Sequence, residues 1–391
     1  MKKIGILTYY YRSKNIGGLL QSYVLATILN KEQFSTEQLC FNYDFQNVHS
    51  TKVKTLLRRD KLTLRDFSLH MLFYIRQIKK RFSKNPCFEV ISIQNKRFDE
   101  FEQFIVHSTQ IYNNTNISRI NANYDIFIMG SDQVWNTDLL PLSAYYGEFA
   151  APDKKVISYA ASSNVRRFLP RAEKLFIKKL ARLNAISVRE KTLKDYIERI
   201  TPYKATVVLD PTFLLSPQEW LKIANPAPVP QKPYIFCYFL GGKSAWQRKI
   251  AQAYADKYGY EVVHLPYIMQ SIRPADRFLK GQGRYDVGPR EFIALINSAE
   301  CVFTDSFHGL AFSINFGKNF YVFNRNDQSG PQSMNARITD TLAMFGLTSR
   351  YIMDKNAVLD NKPLDFTKAH EILAREKEFS INWLLNALKT N

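Results

Sequence analysis

The chain has 391 residues, 46% of them hydrophobic and 23% charged, with a formal net charge of +19. It is too long for one core but ordinary in composition, which sets aside disordered and fibrous classes and makes two globular domains the expectation. Cys40, Cys87, Cys237 and Cys301 stand far apart without a CxxC pair, which argues against a disulfide framework or a zinc site and fits a reduced, cytosolic location.

Strand and helix patterns alternate along most of the sequence, which argues for parallel sheets with crossover helices. The apolar run after Met1-Lys2-Lys3 is too short for a secretory signal and reads as a first strand, Lys3–Tyr9. A polar turn, Asn15-Ile16-Gly17-Gly18, then opens a helix over Leu19–Leu29, and a second strand is expected over Ser35–Tyr43. From Thr51 to Lys84 eleven Lys and Arg stand against two Asp, interleaved with apolar residues. This basic insertion, 51–85, reads either as an anionic-membrane docking element or as a solvated helical hairpin. No RRM, KH or zinc-finger pattern accompanies it, so no nucleic-acid partner is expected. No apolar run reaches transmembrane length.

A helix is expected around Asn95–Phe104, then strands at Tyr124–Met129, Lys155–Ala160 and Ala185–Val188, with a helix over Lys191–Ile200. Asp210-Pro211-Thr212 and the prolines from Pro217 to Pro233 read as the junction between an N-terminal domain, 1–205, and a second, 206–365. The second unit reads as strand Tyr234–Phe239, helix Ala245–Tyr258, strand Glu261–Leu265, helix Pro289–Ser298, strand Cys301–Thr304, helix His308–Phe316 and strand Phe320–Phe323. A long amphipathic helix over 366–391 closes the chain and is expected to rejoin the first domain.

Polar residues gather where strands end, the place where open α/β sheets bind ligands. Asp305, Ser306 and His308 follow one strand, and an imidazole there can give or take a proton or hold an anion. The bland alternative makes Asp305 or Ser306 a helix cap. Ser131, Asp132, Gln133, Trp135 and Asn136 follow another strand and offer hydrogen bonds with an aromatic face for a sugar; capping and core packing are the alternative. Asn15, Gly17 and Gly18 suit either an anion at a helix start or a tight turn. Arg189, Arg325 and Arg337 are candidate forks for carboxylate or phosphate, with Lys243 and Arg284 weaker. The remaining histidines lack metal-ligand spacing.

Several of these stretches together resemble the polysaccharide pyruvyl transferase family. They are Asn15-Ile16-Gly17-Gly18 with Leu20-Gln21-Ser22-Tyr23, Gly130 to Asn136, Ser158 to Ser162, Ser187 to Glu190, Leu209 to Thr212, and Thr304 to Gly309. The resemblance implies a GT-B-like α/β fold, with two Rossmann-type parallel-sheet domains facing a central cleft. It implies phosphoenolpyruvate as co-substrate, no cofactor or metal, and a pyruvate ketal on a surface-polysaccharide sugar as product. The acceptor would be a glycan, polyprenyl-diphosphate-linked and met at the inner face of the plasma membrane.

On this reading His308 is the acid, and Asp132 or Asp305 takes the hydroxyl proton or orients it. Asn15, Gly17, Gly18, Gln21 and the Ser131–Asn136 stretch face the acceptor. Family members with an arginine two residues before the histidine differ from this chain, where Ser306 holds that position. Arg189, Arg325 or Arg337 would then clamp the donor beside Ser306 and His308. A nucleotide-sugar glycosyltransferase and a non-catalytic glycan-binding protein are the rival readings of the same architecture.

Overall fold

A computed structural model describes residues 2–42, 88–136, 143–163, 168, 170–242, 244–268, 271–272, 274–325 and 335–389. The basic insertion 51–85 and Lys243 lie outside the described residues.

The first sheet holds seven parallel strands: β1 (Lys3–Leu7), β2 (Ser35–Phe41), β3 (His107–Tyr112), β4 (Ile126–Met129), β5 (Lys155–Ala161), β6 (Ala185–Val188) and β7 (Thr206–Val207). Their spatial order is β3-β2-β1-β4-β5-β6-β7. β4 is buried at every position because helices cover both faces of a parallel sheet. Its helices include α1 (Ile16–Lys31), α2 (Phe88–Glu102), α3 (Pro170–Leu180) and α4 (Lys191–Ile200). A short α5 (Pro217–Leu221) follows, held by a capping box between Ser216 and Glu219.

The second sheet is built from β8 (Tyr234–Tyr238), β9 (Glu261–His264), β12 (Gln282–Gly283), β13 (Cys301–Thr304), β14 (Phe320–Phe323) and β15 (Tyr351–Ile352). A small antiparallel hairpin, β10 (Tyr267–Ile268) and β11 (Ser271–Ile272), stands apart from it. The order is β12-β9-β8-β13-β14-β15, again parallel. Its helices are α6 (Ala245–Tyr258), α7 (Pro289–Ser298), α8 (Phe307–Asn315) and α9 (Ala336–Phe345). The chain is therefore two doubly wound α/β units, as the alternating pattern predicts, but β7 pairs with β6 in the first sheet, so the first unit extends past the boundary expected at 205.

Each sheet reverses its winding once, between β1 and β4 in the first and between β8 and β13 in the second. Loops leaving the carboxyl ends there diverge and open a crevice. The last helix, α10 (Thr367–Lys389), ties the units together. His370 Nε2 lies 2.9 Å from the Ile314 carbonyl of α8, while Ser380 Oγ accepts the Leu209 N–H at 2.9 Å. Trp383 packs on Tyr159 of β5. Leu384 and Leu388 join one apolar cluster containing Leu20 of α1 and Phe312 of α8. Among the described residues no helix is long and apolar enough to cross a membrane.

Leu384 is fully buried in that shared cluster. Leu384→Ala should remove about 2–5 kcal/mol of stability. Urea unfolding followed by far-ultraviolet circular dichroism checks this, and an unchanged midpoint would contradict the role assigned to α10.

Candidate active site

The two switch points face each other across a cavity of about 560 Å³, lined from both units. The first unit supplies the loop Thr8–Asn15, together with Asp132, Gln133 and Tyr145. The second supplies Leu240, Ser306, Phe307, His308, Arg325 and Arg337.

His308 is the second residue of α8, whose N-cap is Ser306. The imidazole reaches across to the start of α1. A Cβ built on Gly17 would fall 1.9 Å from His308 Nδ1, so only glycine admits the ring. On the other side His308 Nε2 lies 4.0 Å from Asp210 Oδ1 and has no hydrogen-bond partner among the described residues. Burial pushes the imidazole pKa below its ordinary value. Asp210 and Asp132 pull it up, and Arg189 and Arg337 add to the depression.

Asp210, just after β7, is the fixed point of this arrangement. Its Oδ1 accepts from the Thr212 N–H at 3.0 Å and hydroxyl at 2.7 Å. Its Oδ2 accepts from Ser131 Oγ at 2.9 Å and Arg189 Nη1 at 2.7 Å. Burial opposes its ionisation, but Arg189, His308 and Thr212 hold the carboxyl below its usual range.

Arg189 is buried as well. Its guanidinium meets Asp210, Glu190 Oε1 at 3.1 Å and Ser162 Oγ at 2.9 Å, and lies 4.0 Å from the centre of the Phe307 ring. Burial disfavours its charge, yet Glu190, Asp210 and Asp132 more than offset this and raise its pKa. With its donors engaged and no surface on the cavity, Arg189 is a brace between the units. It does not stand with Arg325 and Arg337 on the cavity wall, where a donor clamp would be.

Arg325 follows β14, and Arg337 lies in the first turn of α9. Both line the cavity, and the Nε of each has no hydrogen-bond partner among the described residues. With its amide oxygen turned to the donors, Gln133 accepts from both Arg337 Nη atoms at 2.7 and 2.8 Å. Burial, then the neighbouring Arg325 and Arg189, pushes Arg337 down to about 9. Two guanidiniums and an imidazole thus converge on one space, and a bound anion would relieve their mutual repulsion.

Asp132 faces them from the end of β4. Its backbone is left-handed, with φ 68°, a conformation that Asp tolerates better than most residues. Hydrogen bonds to its carbonyl from the N–H groups of Val134 at 2.8 Å and Ser162 at 3.0 Å hold it there. Its carboxylate lies 3.9 Å from Arg189 and lines the cavity.

Several expected residues do other work. Both oxygens of Asp305 accept backbone N–H groups, from Leu240 at 2.6 Å and Gly241 at 2.8 Å, so Asp305 shapes the β8 loop. The carboxylate that faces His308 is that of Asp210, 4.0 Å from Nε2. Trp135 is 1% exposed, stacks on Tyr146 and donates Nε1 to the Tyr145 carbonyl, so it is core and offers no face to a sugar. Gln21 is buried and donates to Thr8 Oγ1 and the Gly18 carbonyl. Ser131 is a buried support of Asp210. Ser306 caps α8 while also lining the cavity. Asn15 caps α1, accepting the Gly17 N–H at 3.1 Å, and lines the cavity too. Gly18 allows close approach to the Tyr9 carbonyl, and Asn136 sits with its amide 2.8 Å from that of Gln133.

Sequence reasoning passed over Asp210, taken as part of a domain junction, and the cavity-lining run Tyr9-Tyr10-Tyr11-Arg12-Ser13-Lys14. The available signal is position: both begin within three residues of a strand's carboxyl end. Among the described residues no group of three or more His, Cys, Asp or Glu is arranged to hold a metal ion.

A family model described as polysaccharide pyruvyl transferase matches residues 15–327. The chain belongs to that family. No curated protein sequence matches it. Among solved structures it is similar to a UDP-GlcNAc 2-epimerase from Neisseria meningitidis bound to UDP-GlcNAc, with 13% identity, both chains covered in full and a TM-score of 0.47. It is similar also to a glycosyltransferase from Rickettsia africae, at 11% identity, 100% and 99% coverage and a TM-score of 0.48. MurG of Acinetobacter baumannii matches at 9% identity, 99% and 98% coverage and a TM-score of 0.40.

Gly17→Ala is expected to displace His308 and cut turnover by about 100-fold, the penalty of misplacing a reacting group by roughly 1 Å. Steady-state kinetics beside a thermal melt test it. Full turnover in a folded Gly17→Ala protein would show that His308 need not lie against α1.

Proposed function

We propose that the chain transfers the enolpyruvyl group of phosphoenolpyruvate to two hydroxyls of a glycan, forming a pyruvate ketal and releasing phosphate. The family supports pyruvyl transfer to a polysaccharide. The observation that carries the donor is the convergence of His308 Nε2, Arg325 Nε and Arg337 Nε, none with a hydrogen-bond partner among the described residues. A small molecule bearing both a carboxylate and a phosphate supplies acceptors for all three.

In this reading Arg325 and Arg337 clamp the donor, and His308 delivers a proton to its terminal methylene carbon. Positive character then develops at the central carbon, and a sugar hydroxyl attacks it as Asp132 accepts the hydroxyl proton. A second hydroxyl displaces phosphate from the same carbon. Two carbon–oxygen bonds form and one breaks. Of the two hydroxyl protons, one balances the new methyl group and the other leaves with phosphate. The acceptor is a lipid-linked surface-polysaccharide precursor, met at the inner face of the membrane. The basic composition of residues 51–85 supports that location.

Phosphate release from phosphoenolpyruvate should depend on a glycan acceptor and fall by at least about 100-fold in His308→Ala. Retained turnover in that variant, or turnover of a nucleotide sugar in its place, would overturn the assignment.

The pH dependence has a definite sign. Burial depresses the His308 pKa in the free site, so kcat/KM should fall as pH rises through a value below the ordinary 6.5. A bound dianion favours the imidazolium, so the corresponding limb of kcat should lie at higher pH. Asp210→Asn removes a group that raises this pKa and should move both limbs to lower pH. Limbs that stay in place in Asp210→Asn would separate His308 from the titration.

A further inference from the structure

Helix α4 of the first unit starts without a cap of its own. Its N-cap residue, Glu190, makes no side-chain capping bond: its Oε1 accepts from Arg189 and Ser162, and its Oε2 has no hydrogen-bond partner among the described residues. A first-turn N–H left without a partner needs an acceptor. The second unit provides it. Asp340 of α9 accepts the Thr192 N–H at 2.8 Å through Oδ2 and the Thr192 hydroxyl at 3.1 Å through Oδ1. A carboxylate at a helix N-terminus is also favoured by the helix dipole.

Asp340 stands three residues after Arg337, on the same face of α9. That face therefore meets the first unit twice, at Thr192 and at Gln133. Arg337 belongs to the second unit by sequence, yet its guanidinium is held on the first unit's side of the cavity. Burial, the partnerless Nε and the nearby Arg325 all oppose that placement. Asp132 and Glu190 favour the Arg337 charge, and Gln133 adds a neutral amide acceptor, yet together they do not offset the depression.

We infer that Asp340 is a positioning residue for the anion site: its latch on Thr192 holds α9 so that Arg337 is in place before the donor arrives. The inference rests on the donor reading above but is tested separately from it. Donor binding and the contact between the two units are then one linked event. Loosening the latch weakens binding, whereas saturating donor restores the arrangement and leaves the chemical step little changed.

The test is calorimetric titration of the full chain with phosphoenolpyruvate and, separately, inorganic phosphate, beside steady-state kinetics. Asp340→Ala should raise both dissociation constants and the donor KM by about tenfold, with kcat within about threefold of the parent. Asp340→Asn, which keeps an acceptor oxygen, should recover most of the affinity. Thr192→Val, which removes only the hydroxyl, should show a smaller loss and serves if Asp340→Ala does not fold. Parent-like anion affinity in Asp340→Ala, or in Thr192→Val where the alanine variant does not fold, overturns the latch. Loss of kcat with unchanged affinity overturns it too, as does an Asn variant no better than Ala. A parent protein that binds phosphate but not phosphoenolpyruvate overturns the donor reading and leaves the latch to be judged on phosphate. Absence of any anion binding overturns both.

Discussion

The buried ion pair between Arg189 and Asp210 is the constraint on which the site depends. Burying one carboxylate alone is strongly unfavourable, and burying an unmatched guanidinium is no better. Here each neutralises the other, at 2.7 Å, and further hydrogen bonds come from Thr212 and Ser131 to Asp210 and from Arg189 to Ser162 and Glu190. The pair is a frame, assembled from the ends of β4, β5, β6 and β7. Against it rest the Phe307 ring and the His308 imidazole of the second unit. The fold brings the two switch points together, and this pair determines what meets there.

The same frame sets the electrostatics of the cavity. Asp210 and Asp132 favour a charged His308, whereas burial and the arginines disfavour it, and the second group wins. The imidazole Nε2 stands 4.0 Å from Asp210 and, among the described residues, has no hydrogen-bond partner, and the Nε atoms of Arg325 and Arg337 have none either. Burial first, and then the neighbouring arginines, depress both His308 and Arg337, and a bound anion would oppose that depression.

The fold was legible where periodicity is strong. Buried strands such as β13 and helices such as α4, α6 and α7 match their expected bounds. The edge strand β3 is unannounced because His107, Thr109 and Gln110 are exposed and polar, leaving no apolar run. The site was legible in position more than in role. Strand ends mark where polar residues gather, yet Asp305 and Asp210 look alike in sequence. Only three-dimensional pairing separates the carboxylate that holds two backbone N–H groups from the one that faces His308. Trp135 was misread for a related reason: an aromatic beside polar residues can as easily finish a core, and here it stacks on Tyr146.

Gly17 shows how closely the two units must fit. Most β-to-α turns use glycine for a left-handed backbone, and that is the ordinary reading of Asn15-Ile16-Gly17-Gly18. Gly17 instead lies inside α1, with the His308 ring against the place where a side chain would begin. Its small size is required by a residue nearly 300 positions away, so the constraint cannot be read from local sequence. With Asp340 capping α4 from the other unit and Asn315 donating to the carbonyls of Thr212 and Leu215, the contact between units is made of directional bonds. Directional bonds fix an orientation that apolar burial alone leaves free to slide. In the proposed reaction a proton donor and an anion clamp on one unit would have to meet an acceptor hydroxyl on the other to within a fraction of an ångström. Polar fastening at this seam is therefore what such chemistry demands of a two-unit fold.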